Sequence, residues 1–167
     1  MVEFMKWNLM MGQLPDLLAN TIAAVDACVT DFKEQEVILG DLDISVTYKL
    51  GGAALSGIKT YLEQDQRNAE GWRDAADHVG RSKEFRFIDN TAVNVVNGTR
   101  DLEKRIRTHL ETLQALMTTL DNSGAARLAS LDELHDRMDW LLVGCGWAVA
   151  HSEDFSTRIK EIMRPRA

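Results

Sequence analysis

The chain has 167 residues, 45% of them hydrophobic, which suits one domain or one extended helical unit with a core of its own. A formal net charge of −7 repels phosphate backbones and argues against binding membranes through a basic face, so neither nucleic acid nor a membrane surface is the expected partner. Two cysteines, Cys28 and Cys145, are too few for a disulfide framework, and the prolines, Pro15 and Pro165, stand near opposite ends, so the interior is free of the strongest helix breaker.

Taken in order, residues 1–12 hold Met, Phe and Trp without clear period and predict a flexible arm. Pro15 and Asp16 suit the first turn of a helix. Leu18, Ile22, Val25, Val29 and Phe32 then recur by fours and threes, predicting a first helix over 15–39 that ends at Gly40. Residues 40–49 alternate like a strand but have no partner strand, so they predict an extended or irregular connection, with helical continuation as the alternative. A second helix over 52–80 carries the stripe Leu55, Ile58, Leu62, Asp65, Ala69, Trp72, Ala76 and Val79. Asp65 is the odd member, because an unpaired buried carboxylate is costly. It is expected to be solvated, with a cation partner as the alternative.

Residues 80–84 break the pattern, and Ser82, Asp89 and Asn90 are candidate helix caps. The third helix, 91–121, is marked by Val95, Leu102, Ile106, Leu110, Leu113, Met117 and Leu120, with the charged residues between 101 and 107 on a solvated face. The turn Asn122-Ser123-Gly124 is short enough to make the third and fourth helices antiparallel neighbours. The fourth helix, 127–163, is the most regular, with a seam running from Leu131 and Leu134 through Cys145 and Ser152 to Ile159 and Ile162. Between 140 and 150 its apolar surface widens: Trp140, Val143 and Trp147 form a second stripe, and Gly144 and Gly146 permit close approach of a neighbour. Either this chain covers the tryptophans or a partner does, and Trp140, Val143 and Trp147 are the candidate partner-binding residues. The same stretch is the most apolar run, too short for a bilayer span of about 20 residues. No signal peptide is evident at the N-terminus. Both cysteines fall near apolar stripes and read as buried free thiols, with a bond between the first and last helices left open.

Three templates compete for Leu50-Gly-Gly-Ala-Ala-Leu-Ser-Gly-Ile-Lys-Thr-Tyr61. A phosphate-binding loop needs Lys directly after its second Gly, but Ile58 separates Gly57 from Lys59. The dinucleotide fingerprint needs Gly-x-Gly-x-x-Gly, which is absent. The third template is Leu-x-Gly-x-Ala followed by Lys-x-Tyr, supplied by Leu50, Gly52, Ala54, Lys59 and Tyr61. This stretch resembles the LXG domain that targets toxins to type VII secretion, and is similar to the turn of the small WXG-type helical hairpins with Leu50 in the Trp place. On that reading Gly52 turns the chain where two helices meet, while Leu50 and Ala54 close the hairpin end. Tyr61 and Asp65 resemble the Tyr-x-x-x-Asp export signal of WXG-type substrates, although here the pair sits inside a helix rather than on a tail.

Three clusters invite chemistry. Arg73 and His78 match the Arg-x4-His pattern of HEPN ribonucleases, which are also helical bundles. Asp132, His135 and Asp139 offer metal-ligand types on one helix face, but a di-metal bundle requires a second such set from other helices. Cys145, His151 and Asp154 contain the residue types of a thiol triad, at a spacing that points Cys and His to different sides.

The expectation is an all-α, elongated bundle of four long helices in a single domain. The LXG resemblance implies a non-catalytic interaction and targeting domain that binds small WXG-like helical proteins and the secretion machinery. It implies export from the cytoplasm without a cleavable signal, and a homo-oligomer is compatible with it; no cofactor and no metal are expected, and the acidic charge disfavours nucleic acid. LXG domains precede a C-terminal toxin for which this chain has no room, so an excised domain, a degenerate copy or a stand-alone relative is expected. The alternatives are a HEPN-like ribonuclease using Arg73 and His78, and a cytoplasmic helical adaptor or immunity-type protein.

Overall fold

The computed structural model describes residues 2–163. The protein is all-α: helices α1 (Val2–Ile38), α2 (Ile44–Val79), α3 (Phe85–Asn122) and α4 (Ala129–Met163) follow one another with no strand among the described residues. Each of 35 to 38 residues extends for about 55 Å. The short connections make successive helices antiparallel, and α4 returns beside α1. Backbone neighbours are α1 with α2 and α4, and α3 with α4 and α2; the diagonals do not meet. The α2–α3 seam is the sparsest of the four. No helix among the described residues is long and apolar enough to cross a membrane.

The seams predicted from spacing are the core. Leu18, Val25 and Phe32 of α1, Leu55 and Leu62 of α2, Leu102, Ile106 and Leu113 of α3, and Leu131, Leu134, Leu141 and Cys145 of α4 are all buried. Leu110 is half-buried, and Ile162, at the last turn of the fourth seam, is exposed.

Three expectations are corrected. The arm predicted over 1–12 is helical from Val2, with Met1 outside the described residues. Trp7, Met11, Leu14 and Leu18 recur by fours and threes, so the first stripe simply starts earlier. Trp7 is fully buried, stacks on Phe155 of α4 at 4.4 Å between ring centroids, and donates its indole N–H to Ser152 Oγ at 2.9 Å. This explains a serine in the α4 seam. Pro15 is consequently inside α1 rather than in its first turn, and buried. Its missing N–H and ring clash cost about 3 kcal/mol in a helix interior, which the buried residues on either side offset.

The connection over 40–49 shrinks to 39–43, because α2 begins at Ile44. Ser45, Tyr48, Gly52 and Leu55 are buried at helical spacing, and this outweighs the local β-branched alternation. Tyr48 packs edge-on to Phe32 at 5.3 Å and donates its hydroxyl to the Ala126 carbonyl at 3.1 Å, tying α2 to the α3–α4 connection.

The predicted glycine elbow at Leu50–Ala54 is also absent, for Gly51 and Gly52 lie within α2. A Cβ on Gly51 would stand 2.7 Å from Phe32 Cε2 and 2.9 Å from Leu116 Cδ1, so this glycine serves close packing rather than turning. Leu50 is 66% exposed and plugs nothing. The glycine that does turn the chain is Gly124, at φ +69° after α3, where the Ala125 N–H returns to the Leu120 carbonyl at 3.0 Å.

Candidate functional site

The residues of the Leu50–Tyr61 resemblance do not converge on one spot. Leu50, Ala54 and Tyr61 are exposed, whereas Gly52 and Asp65 face inward. Lys59 pairs with Asp26 of α1 at 2.7 Å. Asp65 is only 2% exposed, and Arg105 of α3 approaches it to 2.7 Å, so the solvated carboxylate expected there is corrected to a buried ion pair. One helical turn away, Tyr61 leans over buried His109 at 5.8 Å between ring centroids. Asp65 Oδ2 and His109 Nε2 are both buried without a hydrogen-bond partner among the described residues. Burial holds the His109 imidazole below its usual pKa, with Asp65 pulling upward and Arg105 downward. Sequence reasoning flagged Asp65 by its place in a stripe but missed His109, which sits beside Leu110 in the α3 pattern and carried the same signal.

The clusters weighed for chemistry fare differently. Arg73 pairs with its neighbour Asp74 at 3.5 Å, while His78 packs edge-on to Phe87 of α3 at 5.0 Å. Asp132 is drawn to Arg127 at 3.5 Å. His135 instead groups with Asp136 and Asp139, the ligand atoms lying within 4.8 Å of one another on the outside of α4. All three come from one helix, so any ion there would lack a ligand from a second helix. Cys145 is buried, and desolvation pushes its thiol pKa far up, the opposite of what a nucleophilic thiolate needs. His151 is half-buried and Asp154 exposed.

The outer face of α4 is where the predicted partner-binding residues do come together. Trp140 is 67% exposed, Trp147 60% and Val143 44%. Seven residues are nearly two turns, so the two indoles stand about 10 Å apart on the same side, with Val143 between. The opposite side of the helix buries Leu141, Cys145 and Ala148. On the flanks, Gly144 takes Leu17 of α1, and Gly146 lies under Glu103 of α3. The glycines thus seat side chains of this chain's own helices, and those helices hug α4 on two sides without covering the tryptophans.

Extending the line in both directions gives Asp136, Trp140, Val143, Trp147, Ala150 and Asp154, all exposed. Asp136, Asp139, Trp140 and Val143 enclose a concavity of about 310 Å³. Other apolar residues are exposed near the α1–α2 turn, among them Val37, Ile38, Leu42, Val46 and Leu50. No family model matches the chain, and neither curated proteins nor solved structures provide a match.

Proposed function

We propose that this protein is a non-catalytic protein-interaction module whose partner covers the outer face of α4. The observation that carries this reading is the exposed line Trp140, Val143 and Trp147 on a helix already packed on its other sides. Covering both indoles removes on the order of 300 Å² of apolar surface from water, worth about 7 kcal/mol before the costs of association. Aromatic side chains of this kind dominate binding energy at interfaces.

The biological use we propose is the one implied by the resemblance at Leu50–Tyr61: targeting to type VII export together with small helical partner proteins. Of the two residues of the export-signal resemblance, Tyr61 is accessible on α2, whereas Asp65 is buried against Arg105. Near the alternative pair, Arg73 approaches its neighbour Asp74 at 3.5 Å and His78 packs edge-on to Phe87.

The test is co-expression with small WXG-like helical-hairpin proteins, followed by co-purification. The complex forms with the wild type and is lost with Trp140→Ala/Trp147→Ala, a change at exposed positions that leaves the fold intact. A complex indifferent to that double change overturns the assigned face. RNA cleavage that disappears in His78→Ala overturns the non-catalytic reading.

A further inference from the structure

The apolar line on α4 is closed at both ends by carboxylates. Asp136 lies four residues before Trp140 and Asp154 seven after Trp147, so all four point within about 60° of one another around the helix. The carboxylates are about 27 Å apart along the axis. Asp139 stands beside the first of them, 3.5 Å from His135. Two cations of the same helix lean toward other carboxylates: Arg137 approaches Glu133 at 3.8 Å, and Arg158, one turn beyond Asp154, approaches Glu161 at 3.5 Å. Asp136 and Asp154 have no ion-pair partner among the described residues. The face is therefore greasy in the middle and carries at each end a carboxylate with no direct ion pair among the described residues.

Resting on the interaction reading above, we infer that the occupant of this face is a cationic amphipathic helix. Its apolar stripe lies on Trp140, Val143 and Trp147, and a Lys or Arg near each end meets Asp136–Asp139 and Asp154. The concavity between Asp136, Asp139, Trp140 and Val143 receives one of these cations, because an indole face beside two carboxylates attracts a cation through both the ring quadrupole and the charges. The spacing of the carboxylates sets the length of the partner: its cations stand about 18 residues apart if it lies along α4 as a helix.

The same charges exclude the other candidates. A second copy laid antiparallel on this face would set Asp136 against Asp154, like charge on like. Nucleic acid and anionic lipid would bring phosphates to the same carboxylates. The exposed apolar residues near the α1–α2 turn carry no such instruction, because Lys33 and Glu34 both border the groove beside Val37 and Ile38.

The test uses three synthetic helical peptides of about 20 residues sharing one Leu/Ala face and differing only near the ends, with Lys, Gln or Glu. The Lys peptide binds about tenfold more tightly than the Gln peptide and the Glu peptide binds weakest, and high salt narrows the differences. Asp136→Asn/Asp154→Asn removes the Lys preference, while Asp101→Asn/Glu111→Gln on the exposed side of α3 does not. Trp140→Ala/Trp147→Ala abolishes binding of all three peptides. If the Trp change abolishes binding but Lys and Gln peptides bind alike, the interaction face stands and the cationic partner is overturned. If binding ignores the Trp change, the interaction reading itself falls. Concentration-dependent self-association lost with Trp140→Ala/Trp147→Ala overturns the inference in favour of a second copy.

Discussion

Arg105 donates from both Nε and Nη2 to a single oxygen of Asp65, at 3.1 and 2.7 Å, leaving the second Asp65 oxygen buried without a donor. The pair bridges α2 and α3, whose backbones make the sparsest of the four helix contacts. Arg105 keeps about a third of its side chain in water, whereas Asp65 keeps almost none.

That inequality makes the two truncations unequal. Arg105→Ala strands a buried carboxylate and is expected to cost about 3 kcal/mol, as when one partner of a buried pair is removed. Asp65→Ala leaves an arginine that can turn outward, and should cost clearly less. Urea unfolding of the two variants measures the order; equal losses would show that Asp65 is not the desolvated partner.

His109 gives the bundle a pH dependence of definite sign. Burial lowers its pKa in the folded state from the ordinary 6.5, so the unfolded chain takes up the proton first. Stability is therefore full above about pH 6.5 and is lost as pH falls from there toward the folded-state pKa. His109→Gln should flatten this part of the curve. The check is the urea midpoint at pH 7.5 and 5.5 for both proteins.

Gly51 and Gly57 are six residues apart in α2 and should respond oppositely to alanine. At Gly57 an added Cβ meets nothing within 4 Å, so Gly57→Ala should stabilise by up to about 1 kcal/mol through helix propensity. At Gly51 the same carbon meets the buried ring of Phe32 and the side chain of Leu116, and overpacking of about 1–3 kcal/mol should override the propensity gain. Thermal midpoints of the two variants, shifted up and down respectively, provide the measurement.

Both thiols should be silent in the native protein. Burial pushes Cys28 up to about 11 and raises Cys145 further. At pH 8 a disulfide-exchange reagent should label neither thiol without denaturant and both with it. Labelling of Cys145 in the folded protein would contradict its burial.

The sequence made the seams legible because each buried residue recurs at helical spacing, from Leu18 on α1 to Ile159 on α4. It placed Trp140, Val143 and Trp147 on one face for the same reason. It failed where a local signal competed with a distant one. Residues 44–48 alternate like a strand, but Tyr48 is held helical by Phe32 and by the Ala126 carbonyl. The N-terminal turns looked unpatterned until Trp7 met Ser152 and Phe155, which lie about 145 residues away in the chain. The glycines at 51 and 52 suggested a bend, but contact with Phe32 is invisible without the fold. Whether Asp65 was solvated or paired depended on Arg105, forty positions on, which no periodicity identifies.

The stacking of Trp7 on Phe155 also sets the two poles of the bundle: the opening turns of α1 and the closing turns of α4 share one, and the Gly40 and Gly124 turns occupy the other. A circularly permuted version, linked across that first pole and reopened at Ser123, would keep every helix and every seam.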